Sequence, residues 1–350
     1  MQPSLHGAVP ADDGRAATLL RSRAGRLVAG ARAAGRDARG RRLLRGRASG
    51  RAGGHGARLG TRAPLADGPA AGGGPPLIET RVEADAAEGF AQVAGHLGEF
   101  LQGRLGPSGP LALVTLPCPA LRAEAVRMPG PLALEQPGAR ILTLPALRHL
   151  LAAAEGAEGR FRLVLDLPPG GGAGASTAAR VAILRAAGVT DTGTLARACL
   201  ASEGASDPLM FERPERLLWA SREGRVLADL RPLPRMDLVG GFFGASQRTD
   251  PADLSFPDIA DLVAGWATAD LPGLARLATL SARRCLALRG PADDPTEALA
   301  ARLGALGWAI GHTGPARALI FPPGAVPPAA GGALQAAGFS RITRFRIGGA

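Results

Sequence analysis

The stretch Leu165–Gly188, LDLPPGGGAGASTAARVAILRAAG, limits this chain more than any other. An apolar run from Phe161 to Leu167 reads as a strand. Two prolines follow, then Gly170, Gly171, Gly172, Ala173, Gly174 and Ala175, then Ser176, Thr177 and a helical pattern. Glycines let backbone turn tightly and approach a ligand closely. The free N–H groups and positive dipole end of a helix favour phosphate. Strand, glycine turn and helix start therefore predict an anion site, with Ser176 or Thr177 capping the helix and facing the ligand. In a chain this rich in Ala and Gly, an ordinary loop is the competing reading.

No lysine occurs among the 41 basic residues; all are Arg. That excludes a P-loop lysine, a kinase-type strand lysine and a lysine Schiff base. The net charge of +11 is unevenly placed. Residues 1–76 carry 14 Arg and 4 Asp, and the remaining 27 Arg face 26 acids out of the total of 30. A nucleic-acid partner would thus rest on the tail alone. Residues 1–76 are expected to be a disordered Arg/Ala/Gly-rich tail, because they offer little apolar surface to offset ordering entropy. A transit-like leader, an arm for RNA or anionic lipid, and an upstream start codon all stay open for it. Cys118, Cys199 and Cys285 form no CxxC pair and read as small core residues in a reducing compartment. No apolar run reaches the ~18 residues of a membrane span. No membrane partner is expected, and the cytoplasm is the expected location.

Beyond Ala70–Pro76 the pattern predicts strands at Leu77–Glu83, Leu111–Leu116 (ended by Pro117 and Pro119) and Leu121–Met128, the last pairing antiparallel with a turn at Pro129-Gly130. Helices are expected at Leu144–Ala154 and Thr192–Ser202, and a hairpin joins Leu217–Ala220 to Arg225–Leu230. Further strands fall at Met236–Phe243, Trp308–His312, Ala316–Phe321 and Arg341–Ile347. Helices fall at 255–269, 271–288, 295–306 and 329–337. Strands alternating irregularly with helix pairs predict an α+β fold rather than a doubly wound sheet.

Four segments then occur in order: GHLGEFLQG (95–103), PPGGGAGASTA (168–178), SDPLMF (206–211) and GHTGPARALIF (311–321). Together they resemble the GHMP kinase superfamily of small-molecule kinases, over roughly residues 84–350. Within it they are most similar to the L-threonine kinases of cobalamin synthesis, the propanediol-utilisation-type proteins.

The resemblance implies a two-domain fold. An ATP-binding domain with a ribosomal-protein-like left-handed βαβ unit would span 77–235, and a ferredoxin-like domain 236–350, with the site in the cleft between. It implies ATP and Mg²⁺ as cofactors and a small alcohol or amino-acid substrate, L-threonine first among them; a homodimer stays open. The resemblance places Pro169, Gly170, Gly171, Gly172, Gly174, Ala175, Ser176 and Thr177 on the nucleotide phosphates. Ser176 and Glu203 would hold the metal, and Asp207 would accept or orient the substrate hydroxyl. Glu99, Gln102, His312, Thr313 and Gly314 would line the substrate side.

Bland readings stand beside these: a helix-end acid for Glu203, a turn cap for Asp207, a structural role for Glu99 and Gln102, and a loop or partly buried side chain for His96. Ala175, Ala179 and Pro315 depart from the threonine-kinase pattern, as does the stretch Ser281–Gly290. Arg180 could neutralise phosphate, although a solvated helix arginine is the expectation. A second class of function is therefore a non-catalytic nucleotide- or metabolite-binding relative. A third makes the tail an RNA-binding arm.

Overall fold

The computed structural model describes residues 87–312 and 314–349. The tail at 1–76, the strand expected at Leu77–Glu83 and Thr313 lie outside the described residues. The chain runs β1 (Gly89–Arg104), β2 (Leu111–Met128), β3 (Ala133–Glu135), α1 (Leu144–Ala153), β4 (Arg160–Leu165), α2 (Ala175–Ala186) and α3 (Thr192–Glu203). It continues with β5 (Leu217–Ala220), β6 (Arg225–Asp229), β7 (Met236–Phe242), α4 (Ala260–Trp266), α5 (Leu271–Arg289) and α6 (Thr296–Leu303). It closes with β8 (Gly307–Ile310), β9 (Ala316–Phe321), α7 (Ala330–Ala336) and β10 (Ser340–Ile347). The fold is α+β, as the pattern predicts.

The strands make one ten-stranded sheet in the order β10-β7-β9-β8-β1-β2-β4-β3, with the β5–β6 hairpin joined at β2. The long β1 and β2 are antiparallel. The two prolines do not end the strand at Leu116, and Leu121–Met128 is no separate element but the second half of β2. The sheet accommodates Pro119 with a bulge, while Pro117 stays in register opposite His96. Ala94 pairs with Arg122 and the next residue, Gly95, pairs with Cys118, so Pro119 faces no partner on β1. A proline lacks the N–H that a ladder position needs, and a bulge position does not need it.

One half of the sheet meets the other at a single register pair, Glu99 with Ile310. Gln102 secures that joint. Its side-chain amide donates to the Ile310 carbonyl at 3.0 Å, and its backbone N–H donates to Ser281 Oγ of α5 at 2.9 Å.

Helix α2 lies against β1 and β2 and is apolar on nearly every side; Ala178, Ala179, Val181, Ala182, Ile183 and Leu184 are fully buried. A helix apolar all round belongs in a core, and its alanines let the sheet come close. At Gly89 an added Cβ would fall 2.0 Å from the Ala186 carbonyl oxygen. Shortening Ile183 or Leu184 to Ala would cost about 2–5 kcal/mol. A second, smaller core gathers Cys285 of α5, Leu299 of α6, Trp308 of β8 and Leu334 of α7. All three cysteines are buried and unbridged, and burial pushes each thiol up to about 12. Among the described residues no helix is long and apolar enough to cross a membrane.

Candidate active site

β4 ends at Leu165, and the chain turns through Pro168–Gly174 into α2. Gly170, Gly172 and Gly174 all have φ near +70°, the left-handed region that glycine adopts without strain. The helix cap is Gly174, not Ser176 or Thr177, and no capping side chain accepts from the first-turn N–H groups. The first-turn N–H groups of α2 are thereby left facing a cavity of about 410 Å³. Pro169 through Thr177 line it, together with Arg180, Glu203, Asp207, Arg222, Arg248, His96 and His312.

The loop is clamped from the far half of the chain. Ala316 donates its N–H to the Gly171 carbonyl at 3.0 Å, and Gln247 donates to the Gly170 carbonyl at 2.8 Å. Gly172 and Gly314 pack backbone on backbone; a Cβ on Gly172 would stand 2.8 Å from the Gly314 Cα.

Two clusters of charge occupy the cavity wall. In the first, Ser176 on α2 meets Glu203, the last residue of α3, where Gly204 ends the helix at φ 69°. Ser176 Oγ donates to Glu203 Oε1. Both share Arg180: its Nη1 lies 2.6 Å from Ser176 Oγ and 3.0 Å from Glu203 Oε1, and its Nε donates to Ser202 Oγ at 2.9 Å. Burial pushes the Glu203 carboxyl up, while Arg180 and Ser176 pull it back. Arg180 is 6% exposed, so the expectation of a solvated arginine is overturned. It stands four residues after Ser176 on one helix face, and the docking of α3 turns that face inward.

In the second cluster His96 of β1 is flanked by two carboxyls. Its Nδ1 is 3.3 Å from Glu99 Oε1 and its Nε2 is 3.6 Å from Asp207 Oδ2. His96 is 1% exposed and sits in a strand, not a loop. Burial pushes its imidazole down, but Glu99 and Asp207 more than reverse this and raise it to about 9. Burial raises Glu99 to about 8 against the pull of His96. Burial also pushes Asp207 up, yet the hydrogen bond and charge of His96, with smaller help from His312 and Thr177, hold it below the usual carboxylate range. Near neutral pH this is a protonated His96 beside an ionised Asp207 and a protonated Glu99. Their ligand atoms lie within 4.8 Å of one another.

Asp207 is held from below as well as from the side. Ser206 donates its N–H to the Ser221 carbonyl at 2.9 Å and accepts from the Trp219 indole at 2.7 Å, while the Asp207 N–H donates to Thr177 Oγ1 at 3.3 Å. Opposite stands His312, stacked on Phe256 at 4.6 Å, with the Arg289 guanidinium 3.9 Å from the same ring. Burial, with Arg222 next, lowers His312 to about 4, so it is neutral, and both ring nitrogens are buried without a partner.

The structure thus brings together the glycine loop, Ser176, Thr177, Glu203, Asp207 and His312. It does not bring Glu99 or Gln102 to the cavity wall. Glu99 lies behind His96, and Gln102 is spent on the β1–β8 joint. Gly314 lines an adjoining cavity with Arg289 and Cys285 rather than this one. Arg222 and Arg248 are wall arginines that the motifs did not single out, and Arg180 joins them in place of the solvated position expected for it.

Magnesium was expected at Ser176 and Glu203. A hydroxyl and a carboxylate are suitable hard donors, but here both oxygens already bond one buried guanidinium. The pair as it stands does not fit a divalent ion, and no step is routed through one below.

No family model and no curated protein matches the chain. Solved structures do. The mevalonate kinase of L. major, in complex with R-mevalonate, aligns with a TM-score of 0.50 at 15% identity, covering 74% of this chain and 94% of its own. The mevalonate kinase of Methanococcus jannaschii gives 0.50 at 10%, covering 73% and 96%. A further mevalonate kinase gives 0.51 at 11%, covering 73% and 98%. The chain has the GHMP kinase fold.

Proposed function

We propose that the chain is an ATP-dependent small-molecule kinase that phosphorylates the hydroxyl of an amino-acid-like alcohol, with L-threonine as the first candidate. The observation that carries this reading is the shared cavity: a glycine loop opening onto the start of α2 faces the same space as Asp207, which is anchored on three sides. Residues 77–235 would supply the loop, Glu203 and Asp207, and residues 236–350 would supply His312 and the loop over Gly171 and Gly172.

In this reading the nucleotide phosphates rest on the N–H groups of Gly172–Ser176, the Gly171 N–H being held by the Pro168 carbonyl, and Arg180, Arg222 and Arg248 offset their charge. The alcohol binds with its hydroxyl donating to Asp207. Its oxygen attacks the γ-phosphorus in line; the new P–O bond forms as the bond to the β-phosphate oxygen breaks, and ADP leaves. Phosphoryl transfer draws mostly on positioning and charge stabilisation. A carboxylate held ionised by His96 suits orienting the hydroxyl better than storing its proton, which passes on to solvent. The bound phosphates and alcohol would give the His312 nitrogens the partners they lack.

A non-catalytic nucleotide-binding relative is the second reading, motivated by Ala175, Ala179 and Pro315. The deciding experiment offers threonine, serine, homoserine and ethanolamine-like alcohols with ATP and follows ADP release. Threonine is expected to turn over, and Asp207→Asn to lower the rate at least about 10²-fold with ADP affinity kept. Tight nucleotide binding with no transfer to any of these alcohols would sink the kinase reading and leave the second.

A further inference from the structure

The phosphate cavity already contains a cation that belongs to the chain. Arg180 projects from α2 one turn after Ser176, and its side chain is 7% exposed. Four contacts hold it: Ser176 Oγ at 2.6 Å, Ser176 O at 3.1 Å, Glu203 Oε1 at 3.0 Å and Ser202 Oγ at 2.9 Å. Two of these acceptors are Ser176 Oγ and one carboxylate oxygen of Glu203, on the two side chains expected to hold a divalent ion.

The two cations exclude one another for physical reasons. An ion bridging Ser176 Oγ and Glu203 Oε1 would stand beside the guanidinium in a cavity wall where water screens little, and like charges there repel strongly. Expelling Arg180 instead would strip its bonds to Ser202 and Ser176 and leave a guanidinium to be re-solvated. Arginine does not escape by losing its proton. Its planar fork meets a carboxylate and a hydroxyl together, as a lysine ammonium would not. The rest of the wall points the same way: Arg222 and Arg248 add positive charge around the loop.

We infer that Arg180 is the resident cation of the phosphate cavity, and that the chain takes up free nucleotide di- or triphosphate rather than its magnesium complex. The inference rests on the nucleotide reading above, and it makes Arg180 a phosphate-site residue in place of the metal.

Calorimetric titration of the full chain with ADP, once in EDTA and once in excess Mg²⁺, tests it. The two dissociation constants are expected to agree within about threefold. Arg180→Met should weaken binding in EDTA by about tenfold or more, and Mg²⁺ should recover much of that loss, because Ser176 and Glu203 are then free to hold the ion. Arg180→Lys, which keeps the charge, should fall between. Thermal unfolding of each variant shows that it folds; should Arg180→Met not fold, the wild-type pair of titrations still decides. Tightening of the wild type by Mg²⁺ of about tenfold or more overturns the inference while leaving the nucleotide reading intact. An Arg180→Met variant that folds and binds like the wild type in both buffers overturns it too. Absence of ADP binding in both buffers overturns the nucleotide reading itself, and this inference with it.

Discussion

At the scale of single residues, the buried His96 and Glu99 tie stability to pH. Both bind a proton more tightly in the folded chain than in the unfolded one. Glu99 is raised from 4.5 to about 8 and His96 from 6.5 to about 9. By linkage, each contribution is fully present below the ordinary value and is lost as pH rises through the folded value. Stability should therefore fall between about pH 4.5 and pH 9, and the double variant His96→Gln, Glu99→Gln should lose that slope. Denaturant unfolding at pH 5, 7 and 9.5 measures it; equal slopes in the two proteins would show the cluster is not proton-linked. Ser176 and Asp207 were legible as candidates because they fall in ordered motifs, and Glu203 because it stands four residues before Asp207. Arg180 was weighed for phosphate but expected to be solvated, since its spacing from Ser176 says only that the two share a helix face. What covers that face is α3, and no local pattern reports it. His96 was misjudged for a related reason: Gly95 to Gly103 of β1 are buried on both faces, so no two-residue alternation marks the strand.

At the scale of elements, the seam between the glycine loop and the segment 311–316 decides whether the site exists. Gly172 has φ +67°, and an added Cβ would press on the Gly314 backbone. Gly172→Ala therefore adds a backbone clash to the roughly 1–2 kcal/mol cost of a left-handed alanine. ADP affinity should drop about tenfold or more. Gly138→Ala is the control: its φ is +91° but nothing lies within 4 Å of the added carbon, so it should strain the backbone and leave ADP affinity unchanged. Equal effects from both would mean that strain alone matters and the seam does not. The elements themselves were largely readable from the sequence; α3, β9 and the β5–β6 hairpin fall where apolar period and turn residues place them. The prolines of β2 misled because a strand interior and a bulge look alike until the partner strand is known.

At the scale of the whole molecule, the two halves of one sheet meet at a narrow joint at Glu99, Gln102 and Ile310, and two cores of unequal size take alternate residues of its far half, Leu238, Ala309 and Ile320 in the larger and Val239, Trp308 and Leu319 in the smaller. Fold class was legible from the alternation of elements, but a joint between residues far apart in sequence is a tertiary fact with no local signal. The three buried thiols turn this arrangement into a clock. Cys118 on β2 and Cys199 on α3 sit in the larger core, and Cys285 on α5 in the smaller. A thiol raised to about 12 by burial reacts only when its surroundings open. Under native conditions a thiol reagent followed by mass spectrometry should label Cys285 first, with Cys118 and Cys199 later and together; one common rate for all three would mean the cores open as one. Added nucleotide should slow Cys199 most, because α3 carries Glu203 into the phosphate cavity. Three sulfur atoms, inert in the resting protein, would thus time the breathing of each core without any label being engineered.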